Sequence, residues 1–311
     1  MRFLQELPQQ LVNGLAQGSI YALIALGYTL VYGVLRFINF AHGDVYMLGA
    51  YAGLFAAGWV GATRLVDQGN TPGLPLVVLI FIIAMLLCAV AGILIERVAY
   101  RPLRNSPRLT ILISAIGVSM LLEYGGQAVF SAKPQPFPGL ISEREIFTLQ
   151  HPEVSVSLLQ VVIVVVMVAL MAGLQTVVLK TRIGRAMRAV SLDRSAAALM
   201  GINTDVIIAF TFALGAGLAA AAGILNSTYQ HSADPLMGLM AGLKAFVAAV
   251  LGGIGSIPGA MLGGLLLGFA EVLVVAVGKS EYRDAIAFAL LILVLLVRPS
   301  GLLGRTTAEK V

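Results

Sequence analysis

Charge is what this sequence has least of. Asp, Glu, Lys and Arg make up 11% of its 311 residues, against 59% that are apolar, where an ordinary soluble chain is roughly one-quarter charged. With a mean hydropathy of +0.94, too little polar surface remains to coat a globule in water. The shortage excludes a soluble enzyme and a disordered chain, and leaves an integral membrane protein. Cysteine is scarcer still: Cys88 is the only one, so no intrachain disulfide can form, and its place in an apolar run marks a buried hydrophobe. No basic stripe carries interleaved aromatics, which sets nucleic acid aside as a partner despite the net charge of +5. Asn13 and Gln17 interrupt the first apolar run behind Arg2 and no short cleavable region follows, so the amino terminus is expected to be retained.

What the chain does have is long apolar runs. A helix crossing a ~30 Å hydrocarbon core needs about 20 apolar residues, and runs of that order lie at 10–33, 75–95, 109–131, 155–179, 206–227, 259–277 and 281–297. Two shorter Gly-rich runs lie at 40–58 and 236–252. The expected fold is all-α: one polytopic transmembrane helix bundle over 1–311, of about 8–9 spans, with short Gly-rich helices that are broken or re-entrant. Arg97, Arg101, Arg104 and Arg108 share one loop, and Lys180, Arg182, Arg185, Arg188 and Arg194 another. Both are expected inside, with the tail carrying Arg298, Arg305 and Lys310, while the mixed-charge 132–153 connection (Lys133, Glu143, Arg144, Glu145) is expected outside. The arginines leave the amino end open: Arg36 lies inside and Arg2 outside if 40–58 crosses, and the two exchange if it is re-entrant. Small residues recur at four-residue spacing, as at Gly14 and Gly18, Gly49 and Gly53, Gly215 with Ala219 and Gly223, Gly259 and Gly263, and Gly264 and Gly268. Such smooth patches let helix backbones pack closely.

Four constellations could carry function. Asn39, His42 and Asp44 open the 40–58 run; a polar cluster there is costly in lipid, so it either faces a water-filled path for substrate or, through Asp44, caps a helix. Gly252, Gly253, Gly255 and Pro258 break any helix and form a tight turn or a flexing joint. They match neither a phosphate loop nor a nucleophile elbow. Glu123 and Glu271 are isolated acids in apolar spans, where a charge costs ~2.5–3.5 kcal/mol at mid-bilayer; they serve either proton coupling or an interhelical hydrogen bond. In the fourth, Asp193 is placed to cap a helix of strong formers stopped by Gly201 and Asn203, with the three consecutive alanines Ala196, Ala197 and Ala198 giving it a face without bulk. Arg185 and Arg188 upstream offer charge to a partner or to anionic lipid. No catalytic or metal-ligating set is present.

The spacing Ser195-Ala196-Ala197-x-x-x-Gly201 resembles the Glu-Ala-Ala-x-x-x-Gly loop of bacterial ABC importer permeases, with Ser195 in place of the Glu and no Ile-x-Leu-Pro after Gly201. Four blocks extend the likeness from end to end: Ile38-Asn39-Phe40-Ala41-His42-Gly43, Ile95-Glu96-Arg97-Val98-Ala99-Tyr100-Arg101-Pro102, Met200-Gly201-Ile202-Asn203-Thr204-Asp205 and Val250 through Ala260. Together they are similar to the H-type permease subunit of high-affinity branched-chain amino acid importers. The resemblance implies a permease domain in the bacterial inner membrane with its carboxyl terminus cytoplasmic, a second related permease subunit, two cytoplasmic ATPase subunits and a periplasmic binding protein delivering leucine, isoleucine or valine. It implies that the partner subunits use the ATP and that this chain binds no cofactor. The 180–205 loop, with Arg185, Arg188, Asp193, Ser195, Ala196, Ala197 and Gly201, would couple to the ATPase. Similar permeases serve urea, amides and other amino acids; an ion-coupled carrier using Glu123 or Glu271 is the competing class.

Overall fold

The apolar runs fold as helices. The computed structural model describes residues 2–104, 106–150, 153–278 and 280–304; Arg305 and Lys310 of the expected cytoplasmic tail lie outside them. The first half comprises α1 (Arg2–Leu35), α2 (His42–Trp59), α3 (Ala62–Asp67), α4 (Leu74–Ile95) with a π-helical turn at Glu96–Tyr100, and α5 (Arg108–Phe130). The second comprises α6 (Leu158–Lys180), α7 (Arg182–Leu192), α8 (Arg194–Leu199), α9 (Thr204–Gln230), α10 (Met237–Gly252), α11 (Ile257–Ala276) and α12 (Arg283–Val297). Among the described residues, the only strands are two short antiparallel pairs, β1 (Gln135–Pro136) with β4 (Ser232–Ala233) and β2 (Glu145–Gln150) with β3 (Glu153–Ser157).

Six described helices have the length and apolarity to cross a membrane: α1, α4, α5, α6, α9 and α11. The 281–297 run is helical only from Arg283, because a 3₁₀ turn at Ser280–Tyr282 precedes it, and α12 is 15 residues long. The Gly-rich runs become α2, of 18 residues, and α10, of 16. Local chemistry sets the boundaries. Ser157 and Gln160 form a reciprocal capping box on α6, Asn203 caps α9 and Ser256 caps α11, where Pro258 occupies the first turn.

The helices divide into an inner and an outer set. In α1 and α9, 78% of the most apolar window is buried within the chain, against 17–22% in α4, α5 and α6. The outer helices therefore turn Leu86, Val90, Ile113, Leu121 and Val165 outward, as lipid or a neighbouring subunit requires. Small residues let the inner helices touch backbone to backbone. A Cβ on Gly268 of α11 would lie 2.3 Å from Gly18 Cα of α1, and one on Gly49 of α2 would lie 2.3 Å from Ala220 Cα of α9.

The loops sort to two ends. At one end Ser155 N donates to Gln9 Oε1 at 2.7 Å, bringing the β2–β3 hairpin onto the start of α1. At the other, Arg36 Nη2 donates to the Ser191 carbonyl at 3.2 Å, joining the end of α1 to α7. The π turn, α7, α8 and residues 298–304 all lie at this arginine-bearing end.

If the α1–α11 contact is as close as Gly18 and Gly268 indicate, Gly268→Val forces the two backbones apart, at ~1–3 kcal/mol or more. We expect a lower unfolding midpoint in detergent for the purified variant, while Gly173→Val, whose Cβ meets nothing within 4 Å, stays at the wild-type midpoint. Equal midpoints for all three proteins would refute the contact.

Candidate functional site

Asn39, His42 and Asp44 come together where α2 begins, and all three are buried, with exposures of 4%, 2% and 1%. Asp44 does not cap the helix: the residue before it in the capping position is Ala41, which makes no side-chain cap bond. Instead Asp44 Oδ2 accepts from Ser119 Oγ at 2.5 Å, about half-way along α5. Its other oxygen and His42 Nε2 have no hydrogen-bond partner, and the His42 ring sits edge-on to Tyr28 at 4.7 Å. Asn39 Oδ1 accepts from the Tyr100 hydroxyl at 2.5 Å.

This polar knot adjoins the start of a second helix. The first turn of α2 lies against the first turns of α10, close enough that a Cβ on Gly43 would stand 2.4 Å from the Gly238 carbonyl oxygen. From there the helices leave toward opposite ends. α2 reaches Phe130, whose ring stacks on Tyr51 at 4.3 Å, and α10 ends at the Gly252–Pro258 joint. At that joint Gly253 and Gly255 have φ of +99° and +96°, values that favour glycine. Leu302 N and Leu303 N donate to the Leu251 and Gly252 carbonyls at 2.9 and 3.0 Å, so the chain after α12 is strapped across the joint.

A cavity of about 450 Å³ lies beside the joint, and Thr29, Gly33, Arg188, Ser191, Gly255 and Pro258 contribute to its wall. It unites Arg188 of the arginine-rich segment with two of the joint residues. Asn39, His42 and Asp44 do not line it; the first turns of α2 and α10 close over them.

In the arginine-rich segment, Asp193 Oδ1 accepts from Ala196 N at 2.9 Å, capping α8, and Gly201 terminates it with φ +83°. Arg185 is exposed, whereas Arg188 is turned inward and donates to the Val178 carbonyl at the end of α6. The face without bulk is narrower than the sequence suggested. Ser195 and Ala196 are exposed, but Ala197 points into the protein. The tip is apolar instead, with Leu199 at 89% and Met200 at 82% exposure beside an exposed Leu192. Sequence reasoning missed those three, and the signal was there: large apolar side chains inside a polar loop.

Glu271 is not isolated. Its Oε2 accepts from the Tyr21 hydroxyl at 2.9 Å and from Arg283 Nε at 2.8 Å. Lys244 Nζ lies 2.9 Å from its Oε1 and 2.6 Å from Asp284 Oδ1. One cluster, buried at Glu271 and Lys244 and open to the outside at Arg283 and Asp284, thus ties α1, α10, α11 and α12. Glu123 is half-buried on α5. Among the described residues no group of three or more His, Cys, Asp or Glu is placed to hold a metal.

The sequence model of the family described as branched-chain amino acid transport system / permease component matches residues 10–295. The chain is 47% identical over 306 residues, 97% of each chain, to the high-affinity branched-chain amino acid transport system permease protein LivH of Escherichia coli. It is 48% identical over 305 residues, again 97% of each chain, to the permease protein BraD of Pseudomonas aeruginosa, which carries the same description. A more distant relative, the ribose import permease protein RbsC of Haemophilus influenzae, is 26% identical over 91% of this chain and 83% of its own. No solved structure matches.

Breaking a buried ion pair costs ~3–5 kcal/mol when the remaining charge is left uncompensated, and less here for loss of Lys244, because Arg283 and Tyr21 stay on Glu271. We expect Lys244→Met to lower the unfolding midpoint in detergent, and Lys244→Met combined with Glu271→Met to lose less than the two single changes added together. Strict additivity in that cycle would show that the cluster does not act as a unit.

Proposed function

This chain belongs to the permease components of branched-chain amino acid transport systems, and from that membership we propose that it is the membrane-spanning subunit of an ATP-driven importer for leucine, isoleucine and valine. The observation that carries the reading is 47% identity across 97% of the chain to a permease of that description. The protein is a multi-pass inner-membrane protein. In our reading a periplasmic binding protein delivers the solute, a second, related permease subunit completes the path, and two cytoplasmic ATPase subunits bind and spend the ATP, so that this chain needs no cofactor.

We assign nine crossings, with α2 and α10 completing their passages through the non-helical segments 36–41 and 231–236, and α12 returning the carboxyl end to the cytoplasm. The gathering of Arg36, the π turn, α7, α8 and residues 298–304 at one end supports this, as does the placement of the hairpin and the start of α1 at the other. Residues 1–311 then form a single permease domain whose cytoplasmic 180–205 segment couples to the ATPase. Arg185, Ser195 and Ala196 belong to the docking surface, Asp193 and Gly201 shape it, and Ala197 and Arg188 anchor it to the bundle. Gly252, Gly253, Gly255 and Pro258 act as the hinge, beside a cavity that gives it room.

Asn39, His42 and Asp44 border the solute path in the state in which the first turns of α2 and α10 part. The unpartnered His42 Nε2 and Asp44 Oδ1 support that assignment, because buried polar atoms left unpaired are costly and mark sites with another use. An ion-coupled carrier working through Glu271 is disfavoured, since Tyr21, Lys244 and Arg283 already engage that carboxylate.

Two measurements test the reading. With Leu199→Glu and Met200→Glu combined, the protein should insert normally while stoichiometric ATPase subunits no longer co-purify and leucine uptake into proteoliposomes collapses; wild-type co-purification and uptake would exclude this docking surface. A cysteine at position 42 should react with a soluble thiol reagent in only one nucleotide state of the complex. Equal protection in every state would remove His42 from the path.

A further inference from the structure

The tip of α8 and the buried knot at the start of α2 are joined by an unbroken series of short connections, and it begins with a stretch that has no slack. Four residues separate α8 from α9. Gly201 N donates to the Ala198 carbonyl at 3.0 Å, Ile202 N to the Ala197 carbonyl at 3.1 Å, and Asn203 caps α9 through Val206 N at 3.2 Å. A displacement of α8 therefore reaches the first turn of α9, where Asp205 sits.

Asp205 is held from the opposite loop. Arg104 Nη1 donates to its Oδ1 at 2.5 Å and Arg101 pairs with its Oδ2. Arg104 divides its two terminal nitrogens between carboxylates, since Nη2 pairs with Glu96 Oε1. The Arg104 and Glu96 side chains are 5% and 1% exposed, so water does not screen this link as it would a surface pair. Glu96 opens the π-helical turn and Tyr100 closes it, with Arg101 N donating to the Glu96 carbonyl at 2.7 Å. A π turn is one residue wider than the α-helix around it and recurs at functional positions.

Tyr100 completes the series. Its ring packs edge-on to Phe37 at 5.3 Å and against Phe212 at 5.5 Å, while its hydroxyl donates to Asn39 Oδ1 at 2.5 Å. Asn39 lies in segment 36–41, and the Asn39 carbonyl accepts from His42 N at 3.1 Å as α2 starts. The same segment is tied at its other end, by Arg36, to the Ser191 carbonyl just before α8.

We infer that Asp205, Arg104, Glu96, Tyr100 and Asn39 form a coupling relay, in which Arg104 and Tyr100 are positioning residues that carry movement of the docked α8 to the segment that opens α2. The inference rests on the docking of an ATPase at α8. Its physical content is that a charge-clamped joint converts displacement at the cytoplasmic tip into a shift of segment 36–41, and thereby parts the first turns of α2 and α10. A purely structural role for the same groups would change stability and leave the solute carried per ATP unaltered.

The experiment uses the full complex in proteoliposomes, with leucine as the solute and both leucine uptake and ATP hydrolysis measured. Tyr100→Phe keeps both ring contacts and removes only the bond to Asn39; Asp205→Asn weakens the clamp and leaves Arg104 on Glu96, and Asp205→Glu is the conservative control. We expect the first two to assemble with the ATPases and hydrolyse ATP while leucine carried per ATP falls by roughly 5-fold or more, the lower end of a typical coupling factor, and Asp205→Glu to recover most of the ratio. Wild-type ratios for Tyr100→Phe and Asp205→Asn, or a proportional fall of uptake and hydrolysis, would overturn the relay while leaving the docking assignment standing. If the doubly substituted Leu199/Met200 protein retains its ATPases and uptake, the docking surface itself is wrong and the relay falls with it.

Discussion

Lipid tails are as apolar as leucine, so helices in a bilayer gain nothing from merely hiding apolar side chains from it; they associate by close packing and by satisfying polar groups on each other. Everything in this structure depends on that constraint. Gly18 against Gly268, and Gly49 against Ala220, bring α1 onto α11 and α2 onto α9 backbone to backbone, and α1 and α9 are the two candidate spans most buried by the chain itself. The bulky residues are left to the outer helices, where lipid or a second subunit meets them.

Once the scaffold is closed so tightly, polar groups inside it must be paired or costly. Two solutions stand side by side. At Glu271 the carboxylate is engaged by a phenol, an ammonium and a guanidinium drawn from three other helices, an arrangement suited to holding those helices in one register. At the start of α2 the pairing is incomplete: Asp44 has one oxygen on Ser119 and one without a partner, and His42 Nε2 has none. The first cluster is a lock. The second is less fully paired.

The long helices were legible because length and apolarity alone define them, and Asp193 was legible as a cap because a short polar side chain before a run of helix formers has few other uses; Asn203, read as the stop of α8, caps α9 instead, and Ser256 was not read as a cap. Relations across the sequence were not. Lys244 and Glu271 are separated by a joint and most of a helix, and no periodicity links them. Whether Arg36 lies beside the arginine-rich segment could not be deduced from counting arginines, because the answer depends on where along the bundle α2 starts, and that is set by Ser119 and Tyr100 on other helices. Ala197 was read as part of an open face because three alanines look alike in sequence. Their different positions around one short helix decide which of them faces in, and Leu199 and Met200 are left exposed at its end.

The strap after α12 ties down the Gly252–Pro258 joint. Leu302 and Leu303 donate to the carbonyls of Leu251 and Gly252, groups that the end of α10 would otherwise leave unsatisfied, so the joint can bend without exposing them to lipid. The same strap also walls the cavity of about 450 Å³, which Leu303 and Gly304 border together with Gly33, Gly255, Pro258 and Arg188. Strap, joint and the arginine-bearing segment at Arg188 and Ser191 thus meet around one void. The same segment grips segment 36–41 through Arg36. The joint that ends α10 and the segment that leads into α2 therefore both connect to this arginine-bearing end, while the first turns of the two helices meet at Gly43 and Gly238.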